Sequence, residues 1–187
     1  MLLLEDKEIR KLFSMEDCID AMARGFCAHA AGQTVNQPRS VYNTASPTPE
    51  LKYISNIISG AVPSVGMAAV RVASSLVWAG KKGDESDVKK REYRRTIPRD
   101  TSLVLLHNME TGHLEAILHN VYLSDLRVGA TTALAMKHLS RENSTVLGML
   151  GSGPQAVINL EGICKVRNIQ EVKIYSPTPK HRESFAA

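Results

Sequence analysis

Residues 144–156 read STVLGMLGSGPQA, and the fold turns on them. The run TVLGML is short, apolar and rich in branched side chains, which suits a buried strand. It enters Gly151-Ser152-Gly153-Pro154-Gln155-Ala156 directly, and a helical pattern follows. Strand, glycine turn, helix is the entry to a dinucleotide-binding βαβ unit. Gly151 lets the strand turn sharply, and Gly153, lacking a Cβ, allows backbone to approach a pyrophosphate. Ala156 is small enough for the helix to lie close to the strand. Pro154 costs no hydrogen bond in the first helical turn. The helix start then offers N–H groups and the positive end of its dipole to phosphates. A plain tight turn would use the same residues. The nucleotide reading is favoured by what comes next, a helix of suitable length to about Val166 and a second strand, EVKIY, at 171–175.

The end of that second strand bears on cofactor choice. A carboxylate there would hold the ribose 2′-hydroxyl, but this chain reads Ser176-Pro177-Thr178. No acid stands there to repel a 2′-phosphate, while Ser176, Thr178, Lys180 and Arg182 supply donors. The expectation is NAD(P) binding with NADP(H) favoured over NAD(H).

Working back from the turn, 101–106 (TSLVLL) and 114–118 (LEAIL) read as strands joined by a hairpin loop with Gly112 as its hinge. Ser124 then reads as the cap of a helix from Asp125 to about Leu139, which puts Arg127 in the first turn, beside the positive end of the dipole. Either an anion bridges Arg127 and the free N–H groups, or Arg127 pairs with Asp125 or another acid. Near the start, Leu2 to Leu4 suggest a strand and the residues through Lys11 a short helix. Ser14 with Asp17 marks a longer helix whose apolar face carries Ile19, Met22, Ala23, Phe26 and Ala30, with Gly32 as its stop. Extended strands are expected around 39–43, 53–58 and 67–73, with turns at Pro47, Pro49, Gly60 and Pro63. Arg39 follows Pro38, and Arg71 lies inside the apolar run MAAVRVAS. A charge so placed is on a solvated face or aimed at an anion.

The bulk composition narrows the function classes. With 187 residues and 43% hydrophobic content there is enough chain for one large domain or parts of two. Aromatic residues make up 5%, which argues against a stacking surface for single-stranded nucleic acid. The net charge of +4 suits an anionic ligand without specifying one. The basic run at 81–95, KKGDESDVKKREYRR, is interleaved with four acids and reads as a solvated loop or helix. Cys18, Cys27 and Cys164 are odd in number and lack metal-ligand spacing, so free thiols in a reducing cytoplasm are expected. His107, His113 and His119 sit around the hairpin and read as loop residues, and no metal site is expected. MLLLEDKEIRKLF resembles no signal peptide, and nothing approaches a membrane span.

The order of these pieces resembles the ornithine cyclodeaminase/mu-crystallin family. The likeness is carried by VLLHNMETGHLEAILHNVYLSDLRVGATTALAMKHLS at 104–140 and by VLGMLGSGPQA at 146–156. Weaker support comes from Gln37-Pro38-Arg39 and the helix at 15–31. The resemblance implies an α/β protein: an α+β substrate and dimerisation lobe at 1–122, then the start of a Rossmann NAD(P)-binding domain at 123–187. It implies a homodimer acting on a small amino or imino acid, by deaminating cyclisation or by reduction of a ketimine or imino acid. Arg39 matches the family's carboxylate-binding arginine, and Arg127 the arginine near substrate and cofactor. Gly151, Ser152, Gly153, Pro154, Gln155 and Ala156 match the pyrophosphate turn. Arg39, Arg71 and Arg127 would together clamp the substrate carboxylate.

Three positions depart from the pattern. Arg71 stands where lysine is usual, which keeps the charge but removes a group that could shuttle a proton. Pro177 stands where NADP-binding members have arginine, and Val128 where threonine follows the L-R arginine. Members are also about twice as long, which suggests a truncated chain whose catalytic aspartate lies beyond residue 187. The alternative is a non-catalytic binding protein of the mu-crystallin kind.

Overall fold

In the computed structural model, which describes residues 1–78 and 102–186, the chain divides into two units. The first is Met1–Asp6 with Ala31–Val121, and the second is Lys7–Ala30 with Tyr122–Ala187. The division by packing is not a single cut at 122/123, because the two N-terminal helices group with the second unit. The charged run at 81–95 lies outside the described residues, as does Thr101.

The first unit is a seven-stranded sheet. Its strands are β1 (Leu2–Leu4), β2 (Val35–Asn36), β3 (Ser40–Ala45), β4 (Leu51–Val62), β5 (Met67–Trp78), β6 (Ser102–Asn108) and β7 (Leu114–His119). They lie in the order β1-β7-β6-β5-β4-β2, with β3 also on β4. All pairs are antiparallel except β1 on β7. The long β4–β5 hairpin turns at Pro63–Val65, and Gly66 closes it at φ 68°, a conformation that suits glycine. Gly60, expected at a turn, lies instead within β4. A Cβ there would come within 2.6 Å of the Val35 carbonyl oxygen, so this glycine admits β2 to the sheet. Gly112, at φ 72°, hinges the β6–β7 hairpin as expected.

The second unit contains α1 (Asp6–Leu12), α2 (Met15–Ala30), α3 (Tyr122–Leu139), β8 (Val146–Leu150), α4 (Pro154–Val166), β9 (Glu171–Tyr175) and α5 (Pro179–Ala186). β8 and β9 form a parallel pair around α4. Ser14 and Asp17 cap α2 reciprocally: the Asp17 N–H donates to Ser14 Oγ at 3.1 Å, and the Ser14 N–H to Asp17 Oδ2 at 3.0 Å. The buried cluster is Met15, Cys18, Ile19, Leu126, Ala130, Ala133 and Leu134, with Met22 and Ala23 packed on it. Complete burial of a side chain such as Leu126 is worth about 2 kcal/mol. Phe26 and Ala30, expected on the same face, are exposed.

Helix α3 begins at Tyr122, not at Asp125. Ser124 is therefore inside the first turn and Arg127 in the second. α3 and α4 run parallel, linked by three side-chain contacts in order. Gln155 Nε2 donates to Asp125 Oδ1 (2.7 Å), Thr132 Oγ1 to Asn159 Oδ1 (2.9 Å), and Arg167 Nε to Ser140 Oγ (3.0 Å). Between these links the backbones almost touch. A Cβ on Gly129 would lie 2.5 Å from the Ile158 carbonyl oxygen, and one on Gly162 2.6 Å from that of Gly129.

Candidate functional site

In the sheet unit, register brings two of the expected arginines to one row. Ile58 of β4 pairs with Arg71 of β5. On the other side of β4, β3 begins with Ser40 opposite Ile57, and the Gln37 N–H donates to the Ser59 carbonyl. Pro38 and Arg39 together therefore stand opposite Ile58, as in a bulge. Arg71 shares the face of Ile58, and the backbone of Arg39, just before β3, stands at the same level two strand spacings away, roughly 10 Å. Arg39 is exposed and Arg71 half-buried. The Arg71 Nε donates to Ser102 Oγ at 3.2 Å, and Asn120 Nδ2 donates to the same oxygen at 3.1 Å. Neither Ser102 nor Asn120 is singled out by the sequence, because the chain of bonds from Asn120 through Ser102 to Arg71 depends on strand pairing.

In the helical unit, the carboxyl ends of β8 and β9 lie side by side, where open parallel sheets bind ligands. The Gly151 N–H donates to the Tyr175 carbonyl at 2.7 Å, which sets the glycine turn against the segment carrying Ser176, Thr178 and Lys180. Gly151 has φ 108°, a region L side chains rarely adopt. A Cβ at Gly151 or Gly153 would meet nothing within 4 Å. Gly153 caps α4 with extended backbone and no side-chain hydrogen bond, so the helix start lacks the cap that α2 has. Space, donors and the dipole end coincide there, and these residues fit a diphosphate. Ser152 is half-buried and Pro154 exposed, while the half-buried Ala156 donates its N–H to the Gly153 carbonyl. Gln155 is engaged with Asp125.

Arg127 lies near the N-terminal end of the α3–α4 pair, the end that carries the turn, and is exposed. Among the described residues no ion pair joins it to Asp125 or to another acid. It stands close enough to Cys18 to oppose the rise that burial imposes on that thiol's pKa. Ser176 is buried, and its carbonyl accepts from Arg182 Nη1 at 2.8 Å, whereas Thr178 and Lys180 are exposed. Thr178 also opens α5, a helix the sequence reading missed although Pro179 at its first position signals it.

Among the described residues no cluster of three or more His, Cys, Asp or Glu side chains could hold a metal ion. No helix among them is long and apolar enough to cross a membrane. The three cysteines are free thiols, Cys18 buried and the others exposed.

Comparison with known proteins places this geometry. The chain is 29% identical over 186 residues to an alanine dehydrogenase of Archaeoglobus fulgidus, covering all of this chain and 51% of that one. Among solved structures it is similar to the Thermococcus litoralis Δ1-pyrroline-2-carboxylate reductase in complex with NADH and L-proline (TM-score 0.80, 25% identity). It covers 52% of that chain. It is equally similar to an archaeal alanine dehydrogenase dimer with bound NAD (TM-score 0.80, 26% identity, 52% of that chain). The chain spans about half the length of the curated relatives it matches. The family model for ornithine cyclodeaminase/mu-crystallin proteins matches residues 1–187, and the chain belongs to that family.

Proposed function

We propose that this chain is part of an NAD(P)-dependent oxidoreductase acting on a small amino or imino acid. One observation carries the proposal: an uncapped helix start beside two glycines with open space over both, at the carboxyl ends of parallel strands. That arrangement suits a diphosphate, and the relatives are described with NAD or NADH bound. When bound, the nicotinamide cofactor supplies or takes the hydride at the carbon bearing the imine or amine.

The chain's own residues bind and orient. Gly151, Ser152, Gly153, Pro154, Gln155 and Ala156 form the diphosphate turn, Gln155 acting through its link to Asp125. Arg39 and Arg71 receive the substrate carboxylate, a paired recognition that fixes orientation as well as charge. Arg127 adds positive charge at the turn's end of the helix pair. Ser176, Thr178 and Lys180 receive the 2′-phosphate of NADP, Thr178 and Lys180 from exposed positions. Domain roles follow the same line, substrate and dimer contacts to 1–122 and cofactor to 123–187. A homodimer is supported by the dimeric relative, and a reducing cytoplasm by the three free thiols.

The test is absorbance of NADPH with the protein and Δ1-pyrroline-2-carboxylate, alongside titrations of NADPH and NADH. Turnover with tighter NADPH binding is expected. Cofactor binding without turnover would favour a non-catalytic binding protein, tighter NADH binding would remove the NADP assignment, and no binding of either would overturn the proposal.

A further inference from the structure

Arg71 reaches Ser102 across two strands. Ala73 pairs with Ser102 in the β5–β6 ladder, and Arg71, two residues along β5, is on the same face and diagonal to it. The serine oxygen accepts Arg71 Nε at 3.2 Å and Asn120 Nδ2 at 3.1 Å, which occupies both of its acceptor positions. Asn120 is itself fixed: it is 6% exposed, and its backbone N–H donates to the Ser102 carbonyl at 2.9 Å. A buried amide thus holds a hydroxyl, and the hydroxyl holds a guanidinium.

We infer that Ser102 and Asn120 are positioning residues that set the orientation in which Arg71 meets a carboxylate. Arginine loses up to about 2 kcal/mol of rotamer freedom when held in one geometry. A partner on Nε restrains the outer torsions before ligand arrives, so less freedom remains to be lost on binding. It also removes one edge of the fork: with Nε committed to Ser102, the side formed by Nε and the neighbouring Nη is closed to a carboxylate. The inference deepens the proposed function and rests on its reading of Arg71 as a carboxylate-binding residue.

The experiment is an NMR titration of the isotope-labelled chain with L-proline, comparing wild type with Arg71→Ala, Ser102→Ala and Ser102→Thr, and following the Arg71 Nε–H resonance. Ser102→Ala is expected to weaken L-proline binding about three- to tenfold and to lose the protected Nε–H signal. Ser102→Thr, which keeps the hydroxyl on a strand position, restores both. A merely structural serine would move the Nε–H signal and lower Tm while leaving L-proline affinity unchanged. Loss of binding in Arg71→Ala with none in Ser102→Ala overturns the inference alone. Absence of effect in Arg71→Ala, or of binding by wild type, overturns the reading beneath it. Should Ser102→Ala not fold, the wild-type spectrum decides: an Arg71 Nε–H exchanging as fast as an exposed arginine's overturns the inference.

Discussion

Gly129 and Gly162 on one side, and Gly151 and Gly153 on the other, make an instructive contrast inside the helical unit. At the helix crossing, an added Cβ on either glycine would run into backbone within 2.6 Å. At the strand–helix turn, the same atom would meet nothing within 4 Å. The first pair is explained by what the protein itself packs there. The second is not: one glycine is required by a left-handed φ, and the other, at φ −84°, has a conformation any residue adopts. Glycine kept where the fold leaves room and the backbone is ordinary points outward, to a ligand that approaches the main chain.

The contrast yields ordered predictions. Gly162→Ala is expected to be the most damaging, since the clash is with backbone and cannot be relieved by a rotamer change. Overpacking of this kind costs about 1–3 kcal/mol or more, read as a fall in Tm. An unchanged Tm would break the contrast from the packing side. Gly151→Ala stores strain of about 1–3 kcal/mol and should lower both Tm and cofactor affinity. Ser14→Ala removes the side-chain cap of α2 and should cost about 1 kcal/mol. The corresponding start of α4 has no such cap to lose, so an equal loss from replacing Gly153 would contradict the account.

A smaller effect is read in acid. Hydrogen bonds from Ser14 to Asp17, side chain first and backbone second, hold its carboxyl below the ordinary range. A depressed folded-state pKa means the contribution is fully present above the unfolded value and is lost as pH falls through the folded one. Stability of the wild type should therefore decline more steeply in acid than that of Asp17→Asn, in denaturant melts across that window.

The nucleotide-type turn was legible because glycine and proline carry local conformational meaning. Gly151, Pro154 and the strand before them specify their geometry whatever lies elsewhere in the chain. The start of α3 was misread for the converse reason. Ser124 and Asp125 have the residue types of a cap, but the helix begins at Tyr122, and the N–H of Val121 donates to Asp6 Oδ1 at 3.3 Å, from a distant part of the chain. Gly129 and Gly162 gave no signal, since their need for small size arises only where two helices cross. Gly60 looked like a turn residue and is a strand residue approached by β2. Arg39 and Arg71 stood out as charges in extended segments, but their common row required the register on both sides of β4. Ser102 and Asn120 lay hidden for the same reason, 31 and 18 residues from their partners in the chain.

The most direct test of the central claim is a fluorescence titration of NADPH against wild type and Gly153→Ala, with Tm measured on both. The account predicts a stability loss smaller than that of Ser14→Ala, below about 1 kcal/mol, and an affinity for NADPH at least about tenfold weaker in the variant. Equal affinity in the two proteins would mean that no diphosphate lies against that backbone, and would contradict the account.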